Sequence, residues 1–211
     1  MASHALLTGS HQVVSGDYGM NWKSRTVLLA IAVSLATPAA AQIGGGGGYD
    51  GQQFVEAVRK GDNDKALDLL KKEPNLVNAR DGAGRTALVS AIEAKQRDWT
   101  GQLLNSDADP NLANPDGETP LIAAAKVGFN EAANWLINLG AKVDTADRSG
   151  ETPLIFAVQT RNLPLVKLLL DHGADPDKTD NVQGYSARDY AKRDNRSPEI
   201  LRAIEAKKPA S

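Results

Sequence analysis

One passage constrains the fold of this 211-residue chain more than any other, because the chain restates it. Asp147-Arg-Ser-Gly-Glu-Thr-Pro-Leu-Ile-Phe-Ala-Val158 follows, at a step of 33 residues, Asn114-Pro-Asp-Gly-Glu-Thr-Pro-Leu-Ile-Ala-Ala-Ala125. The same step back from that segment lies Asp81-Gly-Ala-Gly-Arg-Thr-Ala-Leu-Val-Ser-Ala-Ile92. The register holds through Gly84/Gly117/Gly150, Thr86/Thr119/Thr152, Leu88/Leu121/Leu154 and Ala91/Ala124/Ala157. It continues in Leu103/Leu136/Leu169 and Ala108/Ala141/Ala174. A fixed period in this range, with a glycine turn and two apolar helical faces per unit, signals units that bury their faces only by stacking on neighbours.

The units predict their own local structure. Each opens on a turn closed by glycine, which tolerates positive φ. A threonine then caps a helix, with Pro120 or Pro153 at the first position, where a missing N–H costs nothing. Ala87 takes the place of that proline in the unit Asp81–Ala113. Small residues at Ala91, Ala124 and Ala157 allow adjacent helices to approach closely. A second helix buries Leu103-Leu104, Leu136-Ile137 and Leu169-Leu170, and Gly140 or Gly173 follows it in the left-handed position. Asp107 replaces that glycine in one unit, so its helix end must differ or be strained. Trp99 and Trp135 fall where second helices face neighbouring units. Phe129 reads as core, and Phe156 as a residue that could turn to the inner side.

Both ends depart from the pattern as terminal units must. Residues Gln52 to Lys71 read as helix, Gly61-Asp62 turn and helix, with Gln52, Gln53, Glu56, Arg59 and Lys60 on a polar outer side. Lys71 to Ala79 reads as a connection. The last unit starts at Asp180 with one extra residue, places Ser186 at the cap position, and has Arg188 where Leu88, Leu121 and Leu154 stand. Ala191, Ile200, Leu201 and Ile204 keep a short core face, and residues 207–211 read as a tail.

These residues resemble the ankyrin repeat over roughly Tyr49 to Ala206. The resemblance implies an all-α solenoid of about five helix-turn-helix units with short finger turns, its first and last units acting as caps, in a domain of residues 52–206. The family usually carries histidine after Thr-Pro-Leu, bonding adjacent fingers. Here Val89, Ile122 and Ile155 stand there, so apolar packing is expected to replace those bonds. Proteins of this kind bind partners at the finger tips and the concave inner face of the first helices. Carried over by register, that surface comprises Arg85 and Glu93, then Asp116, Glu118 and Lys126, then Arg148, Glu151 and Gln159, continued by Tyr185 and Arg193. Their mixed charge suits a polar protein partner, and a monomer is expected.

Composition narrows the remaining classes. Lys and Arg total 24 against 26 Asp and Glu, so no whole-chain field draws in nucleic acid or anionic lipid. With 0 cysteines, disulfides, thiolate nucleophiles and Cys-ligated zinc are excluded. From Met20, a short basic segment precedes the apolar run Thr26 to Thr37 and the small-residue site Pro38-Ala-Ala-Ala41. That arrangement predicts a secretory signal peptide over residues 20–41, cleaved after Ala41, since the run is well short of the ~20 residues of a membrane span. The expectation is therefore an exported, periplasmic protein with no stable membrane insertion; an uncleaved anchor is the alternative. Residues 1–19 read as a mis-assigned extension before a start at Met20. Residues 42–51 read as a glycine-rich linker.

Little points to catalysis. Beyond the signal the chain holds one histidine, His172, beside Gly173 and without a patterned serine or acid partner. No glycine-rich loop carries the lysine of a phosphate cradle. Non-covalent binding without catalysis or cofactor is the expectation. An alternative stays open: Asp175-Pro-Asp177-Lys-Thr-Asp180, and more weakly Asp107-Ala-Asp109, could hold calcium or a small ligand. The same acids could instead satisfy turn amides between units.

Overall fold

The structure, a computed structural model, describes residues 48–207. The expected extension, signal peptide, most of the linker and all but the first residue of the tail lie outside the described residues. Among the described residues ten α-helices form five pairs: α1 (Tyr49–Lys60) with α2 (Asn63–Lys72), α3 (Ala87–Glu93) with α4 (Arg97–Asn105), and α5 (Pro120–Val127) with α6 (Asn130–Asn138). The series ends in α7 (Pro153–Gln159) with α8 (Leu163–Asp171), and α9 (Ala187–Arg193) with α10 (Pro198–Ala206). The first helices stack in chain order from α1 to α9, and the second helices stack from α4 to α10. Single bridges at Arg80–Thr86 and Thr179–Ser186 close finger necks, and no strand forms among the described residues. Among these residues no helix is long and apolar enough to cross a membrane.

The 33-residue period becomes one shared core. Leu88, Leu121 and Leu154 on the first helices and Leu103, Leu136 and Leu169 on the second are all buried. Val89, Ile122 and Ile155, at the position where the family carries histidine, are 0% exposed. Ala91, Ala124 and Ala157 are sealed between consecutive first helices. Trp99 and Trp135 pack edge-on against Phe54 and Phe129. Phe129 is only partly buried because it caps the start of α6 instead of entering the core.

The helix ends follow the sequence closely. Thr86, Thr119 and Thr152 accept from the amides of Val89, Ile122 and Ile155. Ser186 forms a reciprocal box with Asp189, satisfying two otherwise orphaned donors. Gly140 and Gly173 follow α6 and α8 at φ 89° and 87°, and Asp107 adopts the same left-handed geometry at φ 62°. The second helix of that unit therefore ends as its neighbours do, with backbone strain that glycine avoids.

Three boundaries differ from the sequence reading. Helix α1 begins at Tyr49, so the last three residues of the expected linker are helical. Gly51 is buried there, where a β-carbon would stand 3.0 Å from that of Ala79. The expected connection after α2 contains a 3₁₀ helix, Pro74–Asn78, because Leu76 and Val77 turn inward and pack between the first unit and α3. Lys207, read as tail, lies 3.3 Å from the Asp171 carboxylate.

Candidate partner-binding face

Finger turns position the first residues of the site. Asp81, Asn114 and Asp147 each accept two amides of their own finger, Asp81 those of Ala83 and Arg85, for example. Asp180 accepts three. Neighbouring fingers then bond through their backbones: Arg148 N–H donates to the Asp116 carbonyl at 2.9 Å, and Asn181 N–H to the Ser149 carbonyl at 2.7 Å. Close approach makes glycine necessary twice over at Gly150, which has φ 78° and where a β-carbon would lie 2.7 Å from Asn181 N. The first two fingers cannot repeat that bond, since Pro115 stands where Arg148 does and has no N–H. Arg80 bridges them instead, donating to the carbonyls of Gly84 and of Ala113 in the next unit.

The residue after each finger glycine and the residue eight positions later, at the end of the first helix, meet within their own unit. Arg85 lies 3.9 Å from Glu93 and also holds Asp81 at 2.9 Å. Glu118 lies 3.0 Å from Lys126. Gln159 donates to Glu151 at 2.9 Å. In the last unit the Arg193 guanidinium stands 4.4 Å over the Tyr185 ring. Asp116 and Arg148 face each other across two finger tips at 3.6 Å, both well exposed. All eight residues expected from register thus fall on one side of the stack. They are cross-linked pairs, a property that register alone did not reveal.

A third row runs beneath these pairs, three residues before each helix-end member and hence on the same helical face. It reads Ser90, Ala123, Phe156 and Tyr190 from first to last. Ser90 is buried with an unpartnered hydroxyl. Phe156 lies under Lys126, whose ammonium is 4.8 Å from the ring. Tyr190 packs edge-on against Tyr185 and donates its hydroxyl to buried Asp180 at 2.7 Å. The aromatic residues were legible as members of this row only once Phe156 was placed on it.

Electrostatics divide the face. Glu93 is raised above the usual carboxylate range, first by burial and then by Glu118; Arg85 and Lys126 act the other way. At Asp180 burial opposes the charge, but the amides of Gln183, Val182 and Gly184 and the Tyr190 hydroxyl outweigh it and hold the carboxyl below its usual range. Tyr190 is correspondingly pushed up to about 12, by burial and by its bond to Asp180.

The acidic turns read as a calcium alternative are engaged otherwise. Asp144 accepts from the Asp175 amide and sits 3.5 Å from Lys178, Asp175 accepts from the Asp177 amide, and Asp177 holds Arg188 at 2.6 Å. Asn78 and Asn111 serve the same inter-unit role toward Asp109 and Lys142 as Asp144 does toward Asp175. The position therefore needs an acceptor, and a formal charge is incidental. Arg188, the exception to the leucine register, pairs with Asp177, the position that follows Asn78, Asn111 and Asp144 at the same step. Among the described residues no group of three or more His, Asp or Glu has metal-holding geometry. His172 caps α8 with Nδ1 2.8 Å from the Leu168 carbonyl and stays exposed.

A profile described as Ankyrin repeats matches residues 54–145 and 100–180 in three copies, well over half of the chain. This chain belongs to the ankyrin-repeat family. No curated protein matches it at a significant level. Ankyrin repeats are in general protein–protein interaction modules, which is the class of role that family membership brings. The ankyrin stack here presents side-chain pairs that are already satisfied within the chain, an arrangement that leaves little ordering to be done on binding.

Proposed function

We propose that this ankyrin-repeat protein binds a protein partner non-covalently through the face formed by α3, α5, α7 and α9 and their fingers, without catalysis. The observation that carries the reading is the set of in-register pairs, Arg85–Glu93, Glu118–Lys126, Glu151–Gln159 and Tyr185–Arg193, on one side of the stack. Their mixed sign suits a polar protein surface better than a polyanion or a hydrophobic peptide. The protein acts as a monomer, as an adaptor, inhibitor or assembly factor. The basic-apolar-small pattern of residues 20–41 supports export and a site of action in the periplasm.

Affinity capture from envelope extract tests this, with residues 42–211 as bait beside a variant carrying Arg148→Glu and Glu151→Lys. Retention of one protein by the first bait and its loss from the second supports the face. Equal retention by both baits, or by neither, defeats it. N-terminal sequencing of the exported protein checks cleavage after Ala41 separately.

A further inference from the structure

A groove lies between the fourth and last units. It has a volume of about 480 Å³ and is lined by Val158, Gln159, Arg161, Tyr190, Arg193 and Arg196, with Asp194 among them. Asp194 takes Arg161 at 2.5 Å and Arg196 at 3.3 Å, so one carboxylate serves two guanidinium groups. Arg193 has no acidic partner among the described residues; its charge lies over Tyr185. Three arginines and one aspartate line this end of the face, with the Glu151 and Asp180 carboxylates held behind Gln159 and Tyr190, so the guanidinium groups are the charges that line the groove most densely.

A second observation concerns Arg161. The turn between the two helices of a unit puts one residue in the left-handed region: Gly61, Lys95, Gly128 and Arg161, at φ 72°, 52°, 67° and 54°. Glycine meets that requirement without strain, and units one and three use it, whereas unit two keeps Lys95. Unit four keeps an arginine there despite the strain, which aims a guanidinium at the groove.

We propose that this groove is the anchor for an acidic, carboxylate-bearing segment of the protein partner; the inference rests on the binding role above and names the chemistry of what is bound. Arg193 offers an unpaired guanidinium over an aromatic ring, suited to bidentate capture of a carboxylate. Asp194 is an internal stand-in, occupying Arg161 and Arg196 as a partner carboxylate would. Tyr190 and Val158 give an apolar wall for the stem of a glutamate. Beside the groove Glu151, bonded to Gln159, and farther along the face Glu118 bear the opposite sign, which limits a long polyanion such as nucleic acid and favours a short acidic segment.

The stand-in makes the test two-signed. Purified full-length protein is titrated into a fluorescein-labelled peptide alternating Glu with Ala, and anisotropy is read at near-physiological salt. Arg193→Glu weakens binding roughly tenfold or more, because it places a like charge where a charge-assisted bond forms. Asp194→Asn keeps the acceptor that the Arg196 amide uses at 3.0 Å and releases both guanidinium groups, so binding tightens severalfold. Heat-denaturation midpoints of both variants verify folding, and Arg196→Glu replaces any variant that melts early.

Unchanged affinity in Arg193→Glu, no tightening in Asp194→Asn, or equal binding of a Lys-Ala peptide overturns the proposal. So does displacement by inorganic tripolyphosphate at concentrations far below those of the peptide, which would make the groove a phosphate site. A captured partner that Arg193→Glu retains as well as the parent would sink the anchor while leaving the binding face intact. Acidic-peptide binding with the expected signs, but with no partner lost by the Arg148/Glu151 variant, would do the reverse.

Discussion

The two halves of the proposed binding face are built on one register and differ in what fills it. In units two and three, Arg85–Glu93 and Glu118–Lys126 close over Ser90 and Ala123, small residues that let the pairs lie low and partly desolvated. In units four and five, Gln159–Glu151 and Arg193–Tyr185 stand over Phe156 and Tyr190, and the turn beyond opens into a groove rimmed by arginines. The difference teaches that a repeat fixes where side chains point, while the identity of one underlying residue decides whether the surface is closed by its own charges or left open to a partner's. Both halves belong to one core, so stability and recognition can be separated by mutation.

The largest expected effect is common to both halves. Leu136→Ala empties a fully buried site between them and lowers stability by ~2–5 kcal/mol in urea unfolding. A loss below about half a kcal/mol would mean that the shared core is misplaced. Next, Asp180→Ala removes the acceptor of three amides and the Tyr190 hydroxyl at a buried position, costing ~2–3 kcal/mol at neutral pH. Because the folded carboxyl titrates below its unfolded value, its contribution is fully present above the ordinary aspartate range and lost as pH falls through the folded value. Melting midpoints of the parent should thus drop in acid more steeply than those of the variant. Parallel curves would contradict the network.

Finger contacts give the third test. Gly150→Ala meets both positive φ and a backbone nitrogen of the next finger, and should cost ~2–3 kcal/mol. Gly140→Ala has positive φ with nothing within 4 Å, so its cost should be nearer ~1 kcal/mol. Equal melting shifts for the two would remove the argument for finger-to-finger packing. A gain is expected fourth: Lys95→Gly relieves left-handed strain at φ 52° and should stabilise by up to ~0.5 kcal/mol, the unfolded chain's added freedom offsetting part of it. Arg161→Gly relieves similar strain yet should weaken acidic-peptide binding, by less than Arg193→Glu does, sharpening the contrast between the halves.

Another small effect carries the sign opposite to that of Asp180. Glu93 titrates above its ordinary value in the folded chain, so its charge works against folding once pH rises past the ordinary glutamate range. Glu93→Gln should therefore stabilise slightly at neutral pH, by under ~1 kcal/mol because the side chain is more than a third exposed. That advantage should vanish in acid. Destabilisation at neutral pH would mean that the long Arg85 contact outweighs burial and the Glu118 charge.

Much of this was written in the sequence. Thr86, Thr119 and Thr152 announced their helix starts, and a threonine before an apolar run has few other uses. Gly84, Gly117 and Gly150 announced the fingers, and paired leucines at a constant step announced the stacked core. The eight register-derived surface residues could be named in advance because a helix of known start points its positions predictably. Boundaries were harder. Tyr49 to Gly51 adjoin five glycines and read as linker, yet packing against Ala79 makes them helix; only a neighbour 28 residues on decides that. Leu76 and Val77 likewise looked like connection until packing between α2 and α3 buried them.

What the sequence determined alone was periodic: the unit, its caps and turns, and the side of each helix that faces water, all set by interactions within a few residues. Pairings between positions distant in sequence belonged to the tertiary structure. Arg80 staples Ala113 because Pro115 cannot donate, Lys126 settles over Phe156, and Asp194 gathers two arginines into a groove. The physical reason is that such contacts depend on how one unit is set against the next. A fraction of an ångström there decides whether a charge finds a ring, a carboxylate or open solvent.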